Sequence, residues 1–223
     1  MDPADPPTDY AALRRAMIEQ QLRPTGISEA TLAAVARVPR ELFVPPDERR
    51  DAYADSPLPI GHGQTISQPF MVAAMTELLR LRPGARVLEI GAGSGYQTAV
   101  LCELGAEVVA IERLPELVEA ARPRLAALGH EVDLRCGDGA AGAPDKAPYD
   151  AILVACATPT VPPALVAQLG PEGRLVLPVG EVGTPQTLTV ITRNDEGRPV
   201  SEAAMAVRFV PFVSRELGTD PQA

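Results

Sequence analysis

Val87-Leu88-Glu89-Ile90-Gly91-Ala92-Gly93-Ser94-Gly95 is a short apolar run that breaks into three alternating glycines. Its length suits a buried strand, and a helical pattern follows from about Gln97 to Leu104, with Gly105 placed to stop it. Glycine permits backbone dihedrals, and a closeness of approach, that a side chain forbids. A glycine turn joining a strand to a helix lies at the carboxyl edge of an open α/β sheet, where such folds bind ligands. The same pattern also suits a tight connection that holds nothing.

Downstream, strands and helices alternate. Val108 to Ile111, Val132 to Leu134, Ala151 to Ala155 and Leu175 to Val179 read as strands. Leu117 to Leu128, closed by Gly129, and Pro163 to Gln168 read as helices. Alternation of this kind predicts a mostly parallel, doubly wound sheet covered by helices on both faces. After Gly180 the helices cease. Leu188 to Thr192 and Met205 to Phe212, with a turn at Glu196-Gly197, predict an antiparallel pair at one edge. Upstream, helices are expected over Leu13 to Leu22, stopped by Pro24 and Gly26, and from the cap Ser28 through Leu32, Val35 and Val38. A proline-rich stretch from Pro45 to Pro59 leads into a polar, glycine-punctuated loop over Gly61 to Ser67. A helix follows, with Met71, Val72, Met75, Leu78 and Leu79 on one face.

Two acids stand at the ends of successive strands. Glu112 follows Val108 to Ile111, where a carboxylate is placed to accept hydrogen bonds from vicinal ribose hydroxyls. Asp138, within Gly137-Asp138-Gly139, follows the third strand. Glycines, acid and acid in this order are far more specific than any one of them. The glycines run G-x-G-x-G, with Tyr96 at the sixth position. Dinucleotide sites favour G-x-G-x-x-G, whose helix N-terminus holds a pyrophosphate. The spacing therefore favours S-adenosylmethionine over a nicotinamide cofactor. Gln64-Thr65-Ile66-Ser67, leading into Gln68-Pro69, is open to two readings. Ser67 is either a helix cap with Pro69 in the first turn, or an active-site residue.

The composition excludes several classes. A net charge of −9 and a single lysine, Lys146, leave no basic stripe for nucleic acid. The longest apolar run, Ala151 to Ala157, is too short to span a membrane. Cys102, Cys136 and Cys156 are far apart and in no metal or redox spacing, so buried reduced thiols and no metal are expected. The Pro- and Asp-rich start has no signal-peptide pattern and reads as a disordered tail over 1–9. A soluble, cytoplasmic protein is expected.

Further quoted stretches carry a family resemblance. They are Met17 to Leu22, Val38-Pro39-Arg40-Glu41-Leu42-Phe43-Val44-Pro45, Leu58 to Gly61, Gln64 to Pro69, Ala147 to Ile152, Gly173 to Gly180, and Arg208-Phe209-Val210-Pro211. With the glycine turn and Gly137-Asp138-Gly139, the chain resembles the protein-L-isoaspartate O-methyltransferases. The resemblance implies a Rossmann-like class I methyltransferase fold, with a small N-terminal helical addition. It divides the chain into N-terminal helices and active-site loop (10–82), an S-adenosylmethionine-binding core (83–215) and a tail (216–223). It also implies methyl transfer to the α-carboxylate of L-isoaspartyl residues in proteins and peptides. The ester then collapses to a succinimide, and S-adenosyl-L-homocysteine is the other product.

By matched position, Ser67 is the catalytic candidate. Gln64, Thr65, Glu89, Gly91, Gly93, Glu112, Asp138 and Gly139 are the cofactor-binding candidates, and Ile66, Val207 and Phe209 the substrate-binding ones. A monomer is expected. A carboxylate nucleophile is already ionised at neutral pH, its reference pKa being near ~4, so no general base is required. The chain departs from bacterial relatives at Ala140-Ala141-Gly142-Ala143, where tryptophans are common. That departure leaves open a dedicated peptide or natural-product substrate. A non-catalytic cofactor-binding module fits less well, because Gln64 to Ser67 is intact.

Overall fold

The computed structural model describes residues 8–181, 183–194 and 196–220. Most of the predicted tail over 1–9, and residues 221–223, lie outside them. Helix α1 (Tyr10–Ala16) starts on Asp9, whose carboxylate accepts the Ala12 amide at 2.9 Å. It widens into a π-helical turn over Met17–Leu22, which buries Met17, Ile18 and Leu22, and the segment ends at Gly26 in a left-handed conformation. Helix α2 (Glu29–Arg37) is capped by Ser28, as its sequence implies.

The expected loop before the third helix is instead a hairpin, β1 (Leu58–Gly61) against β2 (Gln64–Ile66). His62 and Gly63 both have positive φ (54° and 70°), the pairing that a tight two-residue hairpin turn demands. Its three- and four-residue strands are too short for alternation to show in sequence. Helix α3 (Pro69–Leu79) follows at once.

The main sheet contains β3 (Arg86–Ile90), β4 (Glu107–Glu112), β5 (Asp133–Cys136), β6 (Tyr149–Val154), β7 (Leu169–Val179), β8 (Gln186–Arg193) and β9 (Pro199–Val207). Helix α4 (Tyr96–Glu103) links β3 to β4, α5 (Pro115–Ala127) links β4 to β5, and α6 (Pro163–Ala167) precedes β7. The spatial order is β5-β4-β3-β6-β7-β8-β9. Pairs among β3 to β7 are parallel, and β7–β8 and β8–β9 are antiparallel. This is the expected mostly parallel α/β sheet with an antiparallel edge. The order reverses between β3 and β6, which opens a crevice at their carboxyl ends.

Three expectations need correction. Residues 208–212 are not part of the last strand, because β9 ends at Val207. Beyond it, the Phe209 N–H donates to the Gln186 side chain (2.9 Å), and Pro211 has no N–H to give a ladder. Strand β7 begins at Leu169, six residues earlier than its apolar run, because Leu169 pairs with Tyr149 before a register shift. Cys136 is exposed at the end of the edge strand β5, while Cys102 is half-buried and Cys156 buried.

Two apolar clusters flank the sheet. One joins Leu22, Leu32 and Val35 of the N-terminal helices to Val87, Ala99 and Leu153. The other packs Leu88, Ile152 and Leu175 with Leu165 and Phe212. No helix among the described residues is long and apolar enough to cross a membrane.

Candidate active site

The β3–α4 turn forms the floor of a cavity at the switch point. Gly91, Gly93 and Gly95 all have positive φ (85°, 55° and 89°). A Cβ on Gly93 would stand 3.3 Å from the Ile60 side chain of the hairpin, so the turn and the hairpin pack closely and a side chain there would press Ile60 aside. The buried Glu112 carboxylate ties the turn down, one oxygen accepting the Gly93 N–H and the other the Leu114 N–H, both at 2.9 Å. A carboxylate offers about four lone-pair sites, so each oxygen retains capacity for a hydroxyl donor. Gly139 closes the far wall, where an added Cβ would fall 2.4 Å from Ile90 Cγ2.

The cavity wall includes Gln64, Thr65, Ile66, Ser67, Gly91, Gly93, Glu112 and Gly139 of the predicted residues. A second groove begins beside it and runs along the end of β9, past Val207 and Phe209. Thr65, Ser67, Ala155 and Val210 line both. Ser67 therefore stands where the cavity opens into the groove. It does not cap α3, because Gln68 is the residue at the helix start and the Phe70 N–H is taken by Asp55 (3.0 Å). Its hydroxyl has no hydrogen-bond partner among the described residues. Ile66, expected at the substrate, lies in the deep cavity wall and not in the groove.

Two predicted residues line neither the cavity nor the groove. Glu89 is fully buried on β3, where the Thr98 hydroxyl donates to one oxygen (2.6 Å) and the other has no partner among the described residues. Burial pushes its carboxyl up to about 8, against the opposing effect of the Thr98 bond and with a further push from the Glu112 charge. Asp138 turns to the C-terminal segment. One of its oxygens accepts the Ala140 N–H (3.0 Å), and the other accepts the Ser214 hydroxyl (2.9 Å) and the Arg215 N–H (3.1 Å).

That segment is what sequence reasoning missed. Residues 210–213 cover the cavity, pinned to the end of β6 by Ala157 N–H to Val210 O (2.8 Å) and Phe212 N–H to Ala157 O (2.7 Å). The Arg-Phe-Val-Pro motif marks its start, yet nothing in its pattern shows that the residues after it fold back over the glycine turn.

The sequence model of the protein-L-isoaspartate(D-aspartate) O-methyltransferase family matches residues 13–217. A protein-L-isoaspartate O-methyltransferase of Methylorubrum extorquens (strain PA1) is 56% identical over 220 residues, 98% of this chain and 96% of that protein. One from Gloeobacter violaceus is 53% identical over 198 residues, 88% and 96% of the two chains. Among solved structures, a protein-L-isoaspartate O-methyltransferase superposes with a TM-score of 0.82 at 30% identity, covering 92% of this chain and 67% of that one. A Plasmodium falciparum structure in complex with S-adenosyl-L-homocysteine, at 23% identity and a TM-score of 0.77, shares the fold over 92% of this chain and 99% of its own.

Proposed function

The chain belongs to the protein-L-isoaspartate(D-aspartate) O-methyltransferase family, and from that premise we propose how its residues divide the work of the reaction. The activity is S-adenosylmethionine-dependent methyl transfer to the carboxylate of isoaspartyl residues. The cavity fits that cofactor on its own chemistry. Glycines give a floor no side chain obstructs, and the buried Glu112 keeps acceptor capacity for a ribose diol. When bound, the cofactor supplies an electrophilic methyl on a sulfonium centre. Gly91 and Gly93 would bear its backbone-contacting face, Glu112 its ribose, and Gly139 with the 210–213 segment its base.

Ser67 carries the reading: it and Thr65 are the two hydroxyl side chains shared by cavity and groove, and Ser67 is the one at the position that matches the family's active-site serine. The incoming carboxylate is already a nucleophile, so a donor that orients it suffices and no base is needed. Ser67 would donate a hydrogen bond to one carboxylate oxygen and leave the other facing the cavity. Thr65, Ala155 and Val210 would flank the gap between carboxylate and methyl, and alignment would supply the rate. Val207 and Phe209 would steady the substrate chain along the groove, as an added strand is steadied. Gln186 fixes them in turn, pairing with Val207 and accepting the Phe209 N–H.

Monomeric action on isoaspartyl proteins and peptides in the cytoplasm completes the proposal. Three free cysteines suit a reducing compartment.

The test is transfer of labelled methyl from S-adenosylmethionine to a synthetic L-isoaspartyl peptide, with the L-aspartyl twin as control. Base-labile label on the first alone is the expected result. Label on neither, from protein that binds the cofactor, would exclude general repair.

A further inference from the structure

Arg40 is the fully buried cation among the described residues, and nothing in the transfer chemistry calls for it. It lies in a single helical turn, Arg40–Leu42, of the N-terminal addition. Its Nε donates to the Ala52 carbonyl at 2.7 Å, and its Nη2 donates to the Ser67 carbonyl, also at 2.7 Å. The guanidinium carbon sits 4.8 Å from the centroid of the Tyr96 ring. Tyr96 is 1% exposed, opens α4 directly after Gly95, and lines the cofactor cavity. The Phe43 ring meets it edge-on at 5.6 Å.

One planar group therefore touches three parts of the molecule: the N-terminal addition, the backbone of the active-site serine, and the residue that ends the glycine turn. Removing a charge from water is costly, and a plain structural link between Ala52 and its neighbours could be apolar. What an apolar side chain could not do is hold the Ser67 carbonyl while stacking on an aromatic face that belongs to the cavity. The Ser67 hydroxyl has no partner among the described residues, so its placement comes from its backbone.

We propose that Arg40 is a positioning residue for methyl transfer: it fixes the Ser67 backbone relative to the glycine turn, and so fixes the distance between the carboxylate held by Ser67 and the cofactor. The proposal rests on the role given to Ser67 above. The fork is what matters. A lysine keeps the charge but offers a point donor in place of a planar pair, and cannot serve both carbonyls and the ring in one geometry.

A double-mutant cycle tests it, using the full chain with Arg40→Lys, Ser67→Ala and both together. The readouts are kcat and KM on the isoaspartyl peptide, S-adenosyl-L-homocysteine affinity by calorimetry, and the melting temperature. Arg40→Lys is expected to lower kcat by about tenfold or more while peptide KM and cofactor affinity stay within about threefold. Placed on Ser67→Ala, the same change is expected to lower kcat by less than about twofold, since no hydroxyl is left to position. Equal losses in both backgrounds, or a fall in cofactor affinity matching the fall in kcat, would overturn it and leave Arg40 a structural staple. If Ser67→Ala is itself fully active, the role of Ser67 fails first, and that outcome is distinct. Should Arg40→Lys not fold, Arg40→Gln, which removes the buried charge and keeps an amide donor, runs through the same cycle with the same two expectations.

Discussion

At Ser67, replacement by alanine removes one hydroxyl and leaves the backbone carbonyl in the grip of Arg40. A hydrogen bond to a charged group is worth about 1.5–3 kcal/mol, so Ser67→Ala should cost roughly ten- to a hundredfold in kcat with cofactor affinity unchanged. Normal turnover in steady-state assays would remove Ser67 from the mechanism. Glu89 gives a different kind of expectation. Its folded-state pKa of about 8 lies above the unfolded value of 4.5, so the folded form holds its proton through a window in which the unfolded chain has lost it. Its contribution to stability is therefore fully present below 4.5 and is lost as pH rises toward 8 and beyond. Glu89→Gln removes that dependence. Relative to the parent, the variant should gain stability between pH 5 and pH 8, on the order of a few kcal/mol. Urea denaturation at the two values checks this, and parallel shifts would show that the buried carboxyl is not the titrating group.

Among the elements, the C-terminal segment and the glycine-bearing turns decide how the cavity is closed. Asp138 holds that segment through Ser214 and the Arg215 amide, so Ser214→Ala should weaken cofactor binding as Asp138→Ala does, by about three- to tenfold for one hydrogen bond. Calorimetry that shows a loss for Asp138→Ala and none for Ser214→Ala would mean that the acid acts on the ligand directly. Gly139→Ala forces a Cβ into Ile90, and overpacking of this kind costs about 1–3 kcal/mol. A fall of several degrees in melting temperature is expected, and an unchanged melting curve would show that Ile90 simply turns aside. These elements also show what a sequence can and cannot reveal. The glycine turn, Glu112 and the alternation of strands and helices were legible because each is local: a period, a stop residue or a strand-end acid. Asp138 was legible as a motif, but its partner Ser214 lies 76 residues away and carries no pattern of its own. The hairpin at His62-Gly63 was hidden by strands of three and four residues, and Arg40 by burial that a charged residue's identity argues against.

For the molecule as a whole, stability and ligation are linked, because the cavity draws on the β1–β2 hairpin, α3, the β3–α4 turn, the segments after β4, β5 and β6, and residues 210–213. A ligand that binds only the assembled site stabilises by about 2.7 kcal/mol at a hundred times its dissociation constant. For a chain of this size that is roughly 5–10 °C in melting temperature. S-adenosyl-L-homocysteine should produce that shift in the parent and in Ser67→Ala alike, and a much smaller one in Glu112→Gln. Differential scanning calorimetry decides it. An undiminished shift in Glu112→Gln would mean that the carboxylate serves the turn alone.

The three hydrogen bonds on Asp138 have a consequence for the enzyme's own lifetime. Asp138 is followed by glycine, and an aspartate before glycine is open to spontaneous ring closure because the next amide nitrogen is unshielded by a side chain. In the folded protein both carboxylate oxygens are engaged, by Ala140, Ser214 and Arg215, and those contacts must break before the carboxyl carbon can turn onto the Gly139 nitrogen. These contacts should therefore slow ageing at the enzyme's own Asp-Gly step, and a chain cut before Ser214 should accumulate isoaspartate at Asp138 faster than the parent on prolonged incubation, as peptide mapping would show; equal rates would mean that the contacts do not protect it.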